Sequence, residues 1–214
     1  MSVRMRKKKN IGPRLEACSP LMVENPAELK GKWREFLKCD KLMLEIGCGK
    51  GKFTLGTAEA NPDRGLIALE RVSEAIVMAA EKAMAAGVTN VRYVIGDAAD
   101  LEEYFAPGEL DRIYINFCDP WVKKKHAKRR LVYRDFLKTY AGLLTEEGEI
   151  FFKTDNRLLF DFALEEIAVS DFTAENVCYD LAASGLPNIT TEYEEKFMAL
   201  GTPINRVEMK KKKI

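Results

Sequence analysis

The feature that most constrains this chain is an alternation. Short apolar runs, most of them ending at a Gly or an acidic residue, are separated by stretches of helical character. The runs are KLMLEI (41–46), GLIALE (65–70), VRYVIG (91–96), LDRIYINF (110–117) and GEIFFKTD (148–155). Each has the length of a strand and suits burial on both faces. Residues 52–60, 73–87, 130–144 and 157–169 read as helices, the first stopped before Asn61-Pro62 and the second bounded by Ser73 and Gly87. An earlier helix is expected from Pro26, just after Asn25, to about Lys38. Strands and helices alternating at this spacing predict an α/β fold with a Rossmann-like, doubly wound, mostly parallel sheet. FTAENVCYD (172–180) and INRVEMK (204–210) bring the count to seven strands. With no helix between them, they predict an antiparallel edge strand. Residues 181–203 are polar and punctuated, and read as a functional loop. Residues 1–20 read as a basic, flexible arm ahead of a single domain over 21–214.

Length and composition narrow the classes. A chain of 214 residues is long enough for one sizeable core. No apolar run approaches the roughly 20 residues of a membrane helix, and no apolar stretch follows the basic N-terminus as a secretory leader would require. The five cysteines (Cys18, Cys39, Cys48, Cys118, Cys178) are scattered and form no CxxC, and the chain has one histidine. A zinc cluster or disulfide framework is disfavoured, so no metal is expected and the expected compartment is the reducing cytoplasm.

The net charge of +1 conceals a segregation. Residues 1–10 carry five Lys or Arg, residues 123–130 carry six and residues 210–213 carry four, with no acid in any of the three tracts. Charge concentrated in this way draws a polyanion to chosen surfaces.

The first strand runs into LEIGCGKGKF (44–53). In doubly wound sheets, ligands bind outside the carboxyl ends of the strands. Gly47, Gly49 and Gly51 give GxGxG, whereas the dinucleotide fingerprint needs Gly at the position of Lys52. There is no phosphate-binding GxxxxGK[ST] loop either. Glu45 precedes the loop, Glu70 closes the second strand and Asp97 follows the third. Acids at three successive strand ends suit a cationic nucleoside: Glu45 at its cationic end, Glu70 on the ribose hydroxyls, Asp97 at the adenine edge. They repel a pyrophosphate. The pattern resembles class I S-adenosylmethionine-dependent methyltransferases.

The fourth strand leads into Asp119-Pro120-Trp121, followed at once by VKKKHAKRR. Taken with ALE, GDA, FKTDN, TTEYEEKF and GTPINRVEMK, these residues resemble the bacterial tRNA (guanine-N7-)-methyltransferases, in order from about Leu21 to the end. The resemblance implies methyl transfer from S-adenosylmethionine to N7 of a guanine in the tRNA variable loop. It implies that Glu45, Glu70, Asp97 and Asp119 contact the cofactor and that Asp119 is catalytic. It implies substrate contacts by Lys123, Asp155 and the segment Thr191 to Glu194, which includes Tyr193. It implies RNA contacts by the stretch Lys125, His126, Lys128, Arg129 and Arg130. Glu194 or Asp155 would serve the donor edge of guanine, and Trp121 or Tyr193 a splayed base, with packing favoured for Trp121. The family commonly has Pro at the positions of Cys118 and Val122, departures that bear on loop rigidity more than on chemistry. Cys118 is read as a packing residue whose oxidation would inhibit. A methyltransferase of another acceptor, or a non-catalytic RNA-binding module, are the competing readings. A monomer and a homodimer are both compatible with the sequence.

Overall fold

In the computed structural model, residues 10–212 are described. The strands, in chain order, are Met22–Val23 (β1), Lys41–Ile46 (β2), Arg64–Glu70 (β3), Val91–Ile95 (β4), Leu110–Asn116 (β5), Leu144–Thr154 (β6), Phe172–Cys178 (β7) and Asn205–Lys211 (β8). The helices are Ile11–Ala17 (α1), Trp33–Leu37 (α2), Lys52–Ala60 (α3), Ser73–Ala85 (α4), Leu101–Tyr104 (α5), Arg134–Leu143 (α6), Arg157–Ala168 (α7) and Glu192–Ala199 (α8). All eight strands join one sheet in the order β1-β4-β3-β2-β5-β6-β8-β7. The pairs from β1 through β6 are parallel, and β8 runs antiparallel to both β6 and β7. The α/β, mostly parallel fold is thus present. The antiparallel strand lies one place in from the edge, and the two-residue β1 is added at the far side.

Strand alternation sorts the core into two layers. Leu42, Leu44 and Ile46 of β2 face a cluster with Trp33, Leu101, Phe105, Leu137, Tyr140 and Phe160, from α2, α5, α6 and α7 and the turn after α5. Met43 faces the opposite cluster, with Phe53, Ile76, Ala79, Tyr93 and Tyr114, under α1, α3 and α4. Apolar burial of both faces is what makes β2 and β3 near-continuous hydrophobic runs. The strand order reverses between β2 and β5, and this switch opens a crevice at their carboxyl ends.

Four expectations change, and the first is that residues 181–203, read as a loop with no helix between the last two strands, contain α8. The helix expected over 26–38 is split into a 3₁₀ turn, Pro26–Leu29, and α2. The buried Glu109 carboxylate accepts from the amides of Gly31 (2.9 Å) and Trp33 (3.1 Å), and Gly31 turns the chain at φ 76°. The helix expected from Arg130 starts at Arg134, because Lys124–Arg129 forms a 3₁₀ segment of its own. Part of the segment expected as an arm is also folded. Residues 11–17 form α1, whose Arg14 makes two hydrogen bonds to Glu81 of α4, at 2.7 and 2.6 Å, and Cys18 and Leu21 enter the core. The part of the arm at residues 1–9 lies outside the described residues. Among the described residues, no helix is long and apolar enough to cross a membrane.

Candidate active site

The glycine loop after β2 has the geometry its composition calls for. Gly47, Gly49 and Gly51 all have positive φ (80°, 55° and 79°), a region costly for residues with a Cβ. At Gly51 a Cβ would fall 2.4 Å from the Cβ of Ala79, so this glycine lets α3 and α4 approach each other. At Gly47 and Gly49 a Cβ would meet nothing within 4 Å, which leaves backbone open to a ligand. The loop is tied to β3 by the amides of Gly47 and Cys48, which both donate to the carbonyl of Leu69 (2.8 and 3.1 Å).

The acids stand at the ends of adjacent strands. Glu70 accepts from the amide of Gly49 on one oxygen (3.1 Å) and from that of Val72 on the other (2.9 Å). A carboxylate has about four acceptor sites, so each oxygen keeps one for a ribose hydroxyl. Asp97 accepts from the amide of Ala99 (3.0 Å) and pairs with Arg71 (3.2 Å). Glu45 is only 1% exposed. Its two oxygens accept from the Thr54 hydroxyl (2.5 Å) and from Nδ2 of Asn116 (3.3 Å). Burial pushes its carboxyl up to about 7, against the pull of those two hydrogen bonds and of Lys153. The Oδ1 of Asn116 is buried beside it with no hydrogen-bond partner among the described residues. A buried orphan acceptor costs about 1–3 kcal/mol and calls for a donor. An acid and an amide oxygen converging beside an open glycine loop fit the ammonium of an amino-acid moiety. The residues therefore fit S-adenosylmethionine, with its methionine end at Glu45 and Asn116 and its ribose at Glu70.

After β5 the chain makes a strained turn. Phe117 and Trp121 have positive φ (52° and 41°), which costs on the order of 1–3 kcal/mol each. They bracket Cys118, Asp119 and Pro120. The turn is held from both ends. The amide of Phe117 donates to the carbonyl of Lys153 (2.9 Å), and its ring stacks with those of Tyr193 (6.5 Å between centroids) and Phe197 (6.1 Å). Arg130 donates to the carbonyls of Pro120 (3.1 Å) and Trp121 (3.2 Å) and lies over Phe162. Rigidity here comes from Arg130 and the aromatic stack. Asp119 is left exposed at the crest.

The sequence-based sites divide under this geometry. Arg130, expected at RNA, is half-buried and braces the turn. Lys123, Lys124, Lys125, Lys128 and Arg129 are exposed, and none forms an ion pair among the described residues. Arg129 lies over the Trp121 ring (4.9 Å), and His126 meets that ring edge-on. Tyr193 is 60% exposed. Asp155 is half-buried at the end of β6. Glu194 is 0% exposed, paired with Lys153 (2.7 Å) and Asn188, and it completes a capping box with Thr191 at the start of α8. Expected at a purine edge, this carboxylate is here engaged by a buried cation and is not presented to solvent. The sequence reading missed Asn116 and Lys153. The signal available was a polar residue at an inward position of an otherwise apolar strand.

Cys118 also changes. Its side chain is partly buried against the core, and burial, with the adjacent Asp119 charge, pushes the thiol up to about 12. Such a thiol is a poor nucleophile, which argues against the oxidation sensitivity expected from its position. Brief iodoacetamide treatment of the folded protein at neutral pH should leave Cys118 unlabelled by peptide mass mapping, with activity retained. Labelling of Cys118 as fast as in denatured protein would contradict this packing.

Known proteins match this arrangement. A family model described as "Putative methyltransferase" matches residues 40–207. The tRNA (guanine-N(7)-)-methyltransferase of Listeria monocytogenes is 47% identical over 199 residues, covering 92% of this chain and 93% of its own. That of Clostridioides difficile is 43% identical over 213 residues, covering 98% of this chain and 100% of its own. Among solved structures, the 16S rRNA methyltransferase KamB aligns with a TM-score of 0.65 at 14% identity, over 84% of this chain and 92% of that one, a likeness of fold alone. With relatives this similar over nearly its whole length, this chain belongs to the tRNA (guanine-N(7)-)-methyltransferase family.

Proposed function

We propose that this chain methylates N7 of a guanine in the variable loop of tRNA, with Asp119 as the catalytic carboxylate. The observation that carries the proposal is the strained, braced turn that leaves Asp119 exposed beside an aromatic stack and a basic tract. S-adenosylmethionine supplies an electrophilic methyl group on a sulfonium. Guanine N7 has a lone pair and no proton, so the enzyme needs no general base to generate the nucleophile. Its task is placement, which is worth roughly 7–11 kcal/mol in favourable cases. The purine gains positive charge as it reacts, and a fixed carboxylate stabilises that charge.

The chain's own residues divide the work. Glu45 and Asn116 receive the cofactor's ammonium, Gly47 and Gly49 let it approach the loop backbone, Gly51 lets α3 and α4 close behind the loop, Glu70 accepts from its ribose and Asp97 from its adenine. Tyr193, stacked on Phe117 but largely exposed, offers a face to a splayed base. Asp155 accepts from the guanine N1–H and amino donors. Lys123 sits between the turn and the basic segment and contacts the substrate. Lys125, His126, Lys128 and Arg129 hold phosphates. Thr191 and Glu194 shape α8 instead of touching the base. A tRNA substrate is the reason to place the protein in the cytoplasm. Labelled S-adenosylmethionine incubated with unmodified tRNA, followed by nucleoside mass spectrometry, should yield 7-methylguanosine. Label in another nucleoside would transfer the reading to a different acceptor.

The Glu45 environment adds a pH signature. In the ligand-free chain this carboxyl titrates at about 7, raised from 4.5. A folded pKa above the unfolded value means that stability falls as pH rises from about 4.5 to about 7, by about 3 kcal/mol. A bound ammonium reverses the shift, so cofactor binding near neutrality should release roughly half a proton. Affinity should rise with pH through that window and then level off. Calorimetry in buffers of different ionisation enthalpy reads the proton count directly. Zero release would show that Glu45 does not meet the ammonium.

A further inference from the structure

Lys153 lies at the carboxyl end of β6, 4% exposed, and the steps above leave it without a task. Its Nζ donates to Oδ1 of Asn188 (2.9 Å), to the carbonyl of Ile189 (2.9 Å) and to Oε2 of Glu194 (2.7 Å). Asn188 and Ile189 lie in the segment leading into α8, and Glu194 in the first turn of α8, which also carries Tyr193; residues 188–194 form a strap held by this one ammonium. An ammonium has three protons to give, and the strap takes all of them. The open side of the cation faces the ring of Phe53, 4.9 Å away. In the sheet, Lys153 is the register partner of Asn116, whose amide donates to Glu45. One buried cation therefore stands between the substrate strap and the cofactor carboxylate.

We propose that Lys153 is a positioning residue that couples the two halves of the site. It seats the Tyr193-bearing strap across the end of β6 and presents a positive charge to the Glu45 carboxylate. The proposal rests on Glu45 receiving the cofactor's ammonium. The titratable and polar groups that act on Glu45 or feel its charge are Cys48 from the glycine loop, Thr54 from α3, Tyr93 from β4, Asn116 from β5, Lys153 from β6 and Glu192 from α8. Among these, Lys153 is the only cation. Glu192 opposes it, and the neutral Thr54 and Asn116 only hydrogen-bond. Lys153 itself is pushed down by burial and held up by Glu194 and Glu45, so the three groups form one electrostatic unit.

The test uses the full chain, with cofactor affinity measured by calorimetry from mildly acid to mildly alkaline pH. Lys153→Met should shift the rise in affinity up by about one pH unit, because Glu45 loses its one nearby cation. It should also raise KM for tRNA more than it lowers kcat, because the strap loses its anchor. Lys153→Met with Glu194→Gln removes both buried charges, so no carboxylate is stranded in the core and folding is kept. This double variant should show the same pH shift. A folded double variant with the wild-type pH profile would overturn the proposal, since a merely structural lysine leaves that profile in place. Glu45→Gln is the control. If pH dependence survives in it, Glu45 is not the titrating group, and the failure lies in the cofactor assignment instead.

Discussion

Replacing Asp119 with Asn should slow 7-methylguanosine formation by about 10²–10³-fold in single-turnover experiments with excess enzyme. The substitution keeps shape and hydrogen-bonding reach and removes charge. Placement of guanine N7 should therefore survive, while stabilisation of the developing purine cation is lost. Asp119 is exposed and sits in no ion pair among the described residues, so the melting temperature should stay within a degree or two. Substrate binding should weaken far less than the rate. A rate within about threefold of wild type would remove Asp119 from the chemistry and leave pure positioning as the mechanism. A collapse in melting temperature would instead mean that the strained turn depends on this side chain. Arg130→Gln separates the two ideas from the other side. It leaves Asp119 in place and removes the brace on the Pro120 and Trp121 carbonyls, so it should lower kcat through a looser turn.

How much of this was legible before the structure depended on where each residue's partners lie in the chain. β2, β3 and β5 could be read because they are buried on both faces, which imprints itself on six or seven consecutive residues. The glycine loop and the acids at the ends of β2, β3 and β4 could be read because their meaning is local: a strand end, a positive φ, a carboxylate. The roles that were missed belong to residues whose partners are distant. Lys153 meets Asn188, Ile189 and Glu194 across 35 to 41 positions. Glu109 stops the early helix from more than 70 positions away. No local pattern announces either. Glu194 shows the opposite hazard. Thr191-Glu192-Tyr193-Glu194 is a capping-box sequence, and the box forms, yet the family resemblance drew attention to substrate contact instead. Arg130 is the same kind of case: it belongs to a charge run by sequence and to the turn by geometry.

That distinction within the basic tract sets the second large effect. Changing Lys124, Lys125 and Lys128 together to Gln should weaken tRNA binding on the order of 10²-fold at physiological salt. The three are exposed and unpaired among the described residues, and the tract contains no acid to offset them. Each phosphate contact contributes roughly 0.7–0.9 to the slope of log affinity against log salt, so the slope should flatten by about 2–3. Arg129 and Arg130 are left in place because one lies over Trp121 and the other braces the turn. The rate at saturating tRNA should change little, because the braced turn and Asp119 are untouched. The measurement is filter binding over a salt series, with single-turnover kinetics on the same protein. An unchanged slope would mean that phosphate is gripped elsewhere and that this tract is only a solvated face. A flattened slope with an intact saturated rate would establish that this enzyme keeps its RNA-holding charges and its reacting carboxylate adjacent but separable. The tract brings the phosphates within reach, and the turn beside it does the chemistry.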